Sequence, residues 1–361
     1  MNLFDTLEFG RGRPMRNRLM LSPLTNCQSH DDGTLSDAEY RWLTMRAEGG
    51  FGLTMTCASH VQARGRGFPG QLGIFSDAHH AGLARLAAAI RGAGSLVMAQ
   101  LHHAGMRAPA ALIGERPVAP SEHAETGARA LDRAEIGQLV EDFAAAAARA
   151  ERAGFDGVEL HAAHGYVLAQ FLSPEINLRE DDYGGTPRNR ARILFEILAA
   201  IRSRCSADLV VGVRLSPERF GLRLPEIISV AQDLIGSGQV DFLDLSLWDV
   251  FKEPQDAAYQ GRTLLSRFTA LDRGRVRLGA AGKIASAADA MRCLDAGLDF
   301  VVVGRAAILH HDFPQRVRSD PGFQAVGLPV TPEYLQREGL GPNFVEYMRN
   351  WPGFVATPAV A

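Results

Sequence analysis

The chain of 361 residues is short of lysine, of cysteine and of net charge. Lysine occurs only as Lys252 and Lys283, so nearly all the positive charge is arginine. Beside abundant alanine, that scarcity is read as a mark of gene base composition and given no functional weight. Thirty-eight basic residues face 41 acidic ones, a net charge of −3. So even a balance argues against a protein that binds nucleic acid through a basic field. The four cysteines, Cys27, Cys57, Cys205 and Cys293, form no C-x-x-C pair, so neither a zinc ribbon nor an iron–sulfur cluster is indicated and no metal is expected. Scattered thiols in a long chain fit a reducing cytoplasm. No apolar run is long enough to span a membrane, and the one at 143–148 is short and flanked by charge. The first ten residues carry Asp5 and Glu8 and no signal-peptide core. At 46% hydrophobic and 22% charged residues, disorder, collagen and coiled coil are excluded.

One further absence bears on the fold. A doubly wound dinucleotide-binding sheet would show G-x-G-x-x-G after its first strand. Gly65, Gly67 and Gly70 have that spacing, but proline and further loop residues follow where a helix should begin. What is present is an alternation of strand-like and helix-like segments. Short β-branched or apolar runs recur at 19–24, 52–57, 96–101, 157–161, 209–215, 240–245, 276–280 and 300–304. Helical stretches lie between them at 77–91, 132–153, 187–204, 225–235 and 286–296, preceded by a capping box from Ser36 to Glu39. Eight buried strands alternating with helices predict an α/β fold, a TIM (β/α)8 barrel. At ~150 residues per domain this length allows two domains, but barrels use ~250 residues or more as one unit. We expect one domain over 1–361, with elaborated loops at 102–131 and 248–263 and a C-terminal tail from about 330. The tail is rich in aromatics and proline and is expected to pack on the barrel or on a partner.

The densest chemistry follows the fourth strand: His161, His164 and Tyr166, with Gly165 between the last two. Extended backbone would put His164 and Tyr166 on one face, and continuous helix would align the histidines instead. A strand-to-turn transition at Gly165 brings all three into one pocket. Two imidazoles can grip a carbonyl or anionic oxygen and a phenol can deliver a proton; the plainer reading is a pair of histidines capping a helix. The polar stretch 172–190 reads as a hydrogen-bonded loop bracing that pocket. Gly304 and Arg305 after the last strand, with Gly282 and Lys283 after the one before, match the barrel position where phosphate binds. Gln100 and Arg214 end the third and fifth strands on the same expected face, and a buried arginine requires an anionic or carbonyl partner.

Together these segments resemble the Old Yellow Enzyme family of flavin-dependent ene-reductases. The resemblance is carried by Asn17, Arg18, Ser22, Pro23 and Thr25; by Gln100-Leu-His-His-Ala-Gly105; by His161-Ala-Ala-His164-Gly-Tyr166; and by 172–190, Arg214, Gly304 and Arg305, in family order. It implies a barrel holding FMN non-covalently, reduced directly by NAD(P)H because no cysteine follows Cys293 to supply an iron–sulfur cluster. It places Pro23, Leu24, Thr25, Ala58, Gln100 and Arg214 against the flavin and Gly282, Gly304 and Arg305 on its phosphate. It makes His161 and His164 the grip on a substrate carbonyl and Tyr166 the proton donor. The implied partner is a small enone or enal, with a homodimer left open. In some relatives the tail enters a neighbouring subunit's site, a role open here to Arg349 or Trp351. Thr25 stands where related bacterial chains carry a flavin-tuning cysteine, and Cys27 is read as small core filler. Trp248 and Phe68 lie in loops over the expected site. The implied activity is reduction of an activated C=C bond by ping-pong hydride transfer. The rivals are nitro reduction or amine or ketone oxidation at the same site, or a flavin-free barrel lyase or isomerase binding a phosphorylated substrate.

Overall fold

The computed structural model describes residues 2–357. Eight parallel strands close into a barrel: β1 Leu19–Leu21, β2 Leu53–His60, β3 Leu96–His102, β4 Gly157–Ala162, β5 Val210–Leu215, β6 Phe242–Ser246, β7 Arg277–Ala281 and β8 Phe300–Val303. Each follows one of the eight expected runs. β1 is shorter than expected because Pro23 has no N–H to give a neighbouring strand. Helices cover the outside: α1 Asp37–Glu48, α2 His80–Gly92, α3 Arg133–Arg152, α4 Pro187–Arg204, α5 Leu224–Gly236, α6 Leu264–Thr269, α7 Ala287–Asp295 and α8 Phe313–Ser319. The long stretch 102–131 carries its own small parallel pair, Val118–Ala119 with Arg129–Ala130. No helix among the described residues is long and apolar enough to cross a membrane.

The capping box of α1 forms only by half. Ser36 Oγ accepts from the Glu39 N–H at 3.1 Å, but the Glu39 carboxylate does not return to the cap. It turns inward, fully buried, to accept from Asn26 Nδ2 at 3.0 Å and from Ser29 Oγ. Two buried donors that would otherwise go unpaired outweigh one N–H at a helix end.

Period-two alternation explains the barrel interior. Inward positions read Leu96, Met98, Gln100 along β3 and Val210, Gly212, Arg214 along β5. They read Gly157, Glu159, His161 along β4 and Phe242, Asp244, Ser246 along β6. The lower half is hydrocarbon and the upper half polar. Phe9, entering from an N-terminal segment bridged between Leu7 and Met15, packs against Phe242 at 5.4 Å and Phe300 at 6.0 Å between ring centres. Each buried phenyl contributes about 2–3 kcal/mol. Gly212 and Gly279 make room for two of these rings. A Cβ on either would stand 2.1 Å from the Phe242 or Phe300 ring. The barrel's N-terminal end is thus filled, and only its C-terminal end can hold a ligand.

The C-terminal tail packs on the barrel. Its helices Pro332–Arg337 and Pro342–Met348 each start with proline in the first turn, where its missing N–H does no harm. Phe344 meets Trp42 of α1 edge-on at 4.8 Å. The last residues of the expected tail, 358–361, lie outside the described residues.

Candidate active site

A cavity of about 750 Å³ opens at the C-terminal end of the barrel, lined by residues of β2 to β7 and by those just past β1 and β8. The residues just past β1 supply Pro23, Leu24 and Thr25. Ala58 reaches it because the pairing of β2 with β3 shifts register between Met55 and Ala58. That bulge turns Cys57 outward into the packed layer, where its buried thiol lies close enough to Glu39 for each to shift the other's titration, and Ala58 inward. It supplies the reason for a cysteine at this place that the sequence did not reveal. Gln100, His161, Arg214 and Ser246 come from β3 to β6, and Gly282, Gly304 and Arg305 from the ends of β7 and β8. Every residue expected to hold the flavin or act on the substrate, Tyr166 and His164 included, lines this one cavity.

The turn after β4 is the local device that assembles the reactive groups. His164 (φ 58°) and Gly165 (φ 71°) adopt left-handed backbone, and Tyr166 caps the helix Val167–Leu172. The strand-to-turn alternative therefore holds, rather than strand or helix alone. His164 Nδ1 lies 3.2 Å from His161 Nε2, and the Tyr166 ring centre is 4.9 Å from that of His161. The His164 backbone N–H donates to Ser216 Oγ at 3.0 Å, and its Nε2 meets Ser246 Oγ at 2.6 Å. Burial pushes His164 down to about 3 and His161 well below the ordinary histidine range, so both imidazoles are neutral. Burial raises the Tyr166 phenol, against the pull of nearby Arg107. His102, fully buried, presses its ring edge-on to Tyr166 at 4.3 Å.

Beneath these groups lies a charged floor. Gln100 Nε2 donates to Glu159 Oε1 at 2.7 Å, and Arg214 pairs with Asp244 at 3.1 Å while reaching Ser22 Oγ at 3.2 Å. Asp244 is the anionic partner that a buried arginine required. Glu159 and Asp244 are both buried near Arg214, and burial pushes both carboxyls upward. Behind the pocket, Arg179 donates to the carbonyls of Pro120 and Leu131 at 2.8 and 2.5 Å, and Ser173 Oγ to that of Gly221 at 2.8 Å. The 172–190 loop therefore ties the site's supports together as expected.

The donor set fits FMN, a flat polar ring system with a phosphate tail. The amide of Gln100 and the guanidinium of Arg214 lie at the floor, 1% and 4% exposed. At the other end are Arg305, Lys283, Gly282 and the first turn of the helix Arg305–Leu309, whose leading N–H groups have no intrahelical acceptor.

Several lining residues had no sequence signal. Arg107, Arg219, Phe220 and Ser246 arrive from loops and a strand end, and Tyr347 and Met348 from the tail. Arg219, Phe220 and Trp248 all hold left-handed backbone at the cavity mouth, strain of the kind that collects at ligand sites. Trp248 lines the cavity as expected and Phe68 does not. Trp351 lines the cavity of its own chain and lies 6.3 Å from Trp248, whereas Arg349 pairs with Glu346 at 3.2 Å. Cys27 is not core filler. It is half-buried with φ 55° and borders a separate hollow of about 540 Å³ beside Tyr347.

Comparison with known proteins adds to this geometry. The NADH:flavin oxidoreductase / NADH oxidase family matches residues 2–321. A probable NADH-dependent flavin oxidoreductase of Bacillus subtilis is 34% identical over 327 residues, covering 88% of this chain and 87% of that protein. An NADPH dehydrogenase of Bacillus licheniformis is 33% identical over 311 residues, covering 84% of this chain and 91% of its own length. The structure of an old yellow enzyme homologue from Zymomonas mobilis superposes with a TM-score of 0.81 at 28% identity, covering 96% of this chain and 99% of that one.

Proposed function

Because the chain belongs to the NADH:flavin oxidoreductase / NADH oxidase family and is an FMN-dependent NAD(P)H oxidoreductase of the Old Yellow Enzyme type, we propose that it reduces the activated C=C bond of α,β-unsaturated carbonyl compounds. The observation that carries this reading is the convergence of two neutral imidazoles and one phenol on a single cavity. FMN, held in that cavity, would supply the hydride chemistry that links NAD(P)H to the acceptor.

The remaining work falls to side chains. Gln100 and Arg214 hold the ring system, and Gly282, Gly304 and Arg305 the phosphate. Pro23, Leu24, Thr25 and Ala58 pack along the ring. His161 and His164 hydrogen-bond the acceptor's carbonyl oxygen, and this grip strengthens as negative charge grows there in the transition state. Tyr166 gives its phenolic proton to the α-carbon. One cavity for both donor and acceptor supports a ping-pong order, NAD(P)H leaving before the enone enters.

The double change His161→Ala with His164→Ala tests the grip. It is expected to abolish most cyclohexenone reduction while FMN stays bound. Normal cyclohexenone turnover by that variant would overturn the assignment. Side-by-side turnover of an enone, a nitroaromatic and an amine separates this reading from the other redox uses of the site.

A second feature bears on the acceptor. The cavity lining holds Arg107, Arg214, Arg219, Lys283 and Arg305 and no carboxylate. Asp244 partners Arg214 and Asp249 partners Lys283, the latter at 3.1 Å. Arg305 is assigned to phosphate. Arg107 and Arg219 have no carboxylate partner among the described residues, and both press positive charge on His164. This surplus favours unsaturated acceptors that carry an anionic group of their own.

A further inference from the structure

The hydrogen bonds around the histidine pair determine where each proton sits, starting from a group that can only donate. The Ala163 backbone N–H points at His161 Nδ1, 3.3 Å away. That nitrogen must present a lone pair, so neutral His161 carries its hydrogen on Nε2. His161 Nε2 faces His164 Nδ1 at 3.2 Å, so His164 Nδ1 accepts. The hydrogen of His164 then lies on Nε2 and is donated to Ser246 Oγ at 2.6 Å. In this resting state the one N–H aimed between the rings is spent on the neighbouring imidazole.

A carbonyl oxygen offers only lone pairs. Entering between the rings, it would take the His161 Nε2 hydrogen but meet a lone pair on His164 Nδ1. A two-donor grip requires His164 to hold its hydrogen on Nδ1 and leaves a lone pair on Nε2. Ser246 can answer that lone pair, because a hydroxyl donates as readily as it accepts. The turn that carries the ring stays anchored during the exchange, since Ser216 Oγ holds the His164 backbone N–H independently.

We propose that Ser246 is a positioning residue that sets which nitrogen of His164 carries the proton, turning from hydrogen-bond acceptor to donor as a carbonyl oxygen enters. One proton leaves Nε2 and one arrives at Nδ1 by exchange with water in the open cavity, so the charge of the imidazole is unchanged. The inference rests on the carbonyl-grip reading of the pair.

The test uses FMN-loaded enzyme with 15N-labelled histidine, oxidised and without NAD(P)H so that cyclohexenone binds but does not react. His164 Nδ1 is expected to give a pyridine-like 15N shift at rest and a pyrrole-like one with cyclohexenone bound, with Nε2 changing the opposite way. Ser246→Thr keeps both hydroxyl roles and should keep the exchange. Ser246→Asp can only accept, should hold the Nε2 hydrogen, and should bind cyclohexenone about tenfold more weakly. Bound cyclohexenone with His164 still protonated on Nε2 overturns the proposal, as does wild-type affinity in the aspartate variant or loss of the exchange in a folded threonine variant. If cyclohexenone alters neither the histidine shifts nor the flavin absorbance, the carbonyl reading itself fails, and the inference with it.

Discussion

The guanidinium of Arg107 lies 5.0 Å from the centre of the Tyr166 ring, and its Nη1 donates to the His164 carbonyl at 2.5 Å. One side chain thus braces the turn that carries both reactive residues and places positive charge over the phenol. A cation there stabilises the phenolate left when Tyr166 releases its proton. If that release serves the acceptor, Tyr166→Phe should slow oxidation of the reduced enzyme by an enone by about 10²-fold or more. Reduction by NAD(P)H should change much less. Stopped-flow traces of the two half-reactions distinguish them, and equal slowing of both would count against a proton-donor role.

The surplus of positive charge at the mouth makes a separate prediction. Arg107→Gln and Arg219→Gln should lower kcat/KM for an unsaturated carboxylate more than for its neutral methyl ester. The excess loss should be about 10-fold per arginine, as for a charge-assisted hydrogen bond of 1.5 kcal/mol or a little more. If instead the variants lose affinity only for NAD(P)H, measured by titration under reducing conditions, the pair serves the dinucleotide's phosphates.

Stability should fall on both sides of neutrality, for opposite reasons. Burial pushes His60 down to about 4 and His103 and His164 to about 3, so the folded chain holds these rings neutral. Between their ordinary value near 6.5 and those lowered values the unfolded chain binds more protons. Their neutral-state stability is therefore present above pH 6.5 and lost as pH falls, by about 2 kcal/mol per ring at pH 5. Glu159 moves the other way, up to about 8, through burial and the nearby Asp244. Between 4.5 and 8 the folded state holds its proton and the unfolded state does not, so rising pH destabilises. Thermal melts of the FMN-loaded enzyme should show both limbs. His164→Asn should flatten the acid limb and Glu159→Gln the alkaline one.

The filled end of the barrel offers a stability test remote from the chemistry. Gly212→Ala would put a methyl group 2.1 Å from the Phe242 ring, which Phe9 and Phe300 hold in place. Overpacking of this kind costs about 1–3 kcal/mol. Tm should fall by several degrees, while Gly236→Ala, with nothing within 4 Å of the added Cβ, should not lower it.

The sequence by itself determined the eight strands, because buried β-branched runs separated by helical periods admit few other parallel arrangements. It also marked Gln100, His161 and Arg214, where period-two alternation and chemistry coincide at strand ends, but not Ser246. What it left undecided is set by contacts between segments far apart in the chain. Asp244 partners Arg214 across neighbouring strands, and Ser246 meets His164 across 82 residues. Glu39 abandons its own helix cap for Asn26 and Ser29, and a bulge turns Cys57 away from the cavity while sending Ala58 to it. Trp351 and Tyr347 come back over the mouth from a tail with no periodic signal. Local pattern encodes which face of a strand is buried. Only closure of the barrel decides which buried groups meet, and so which imidazole nitrogen carries a proton.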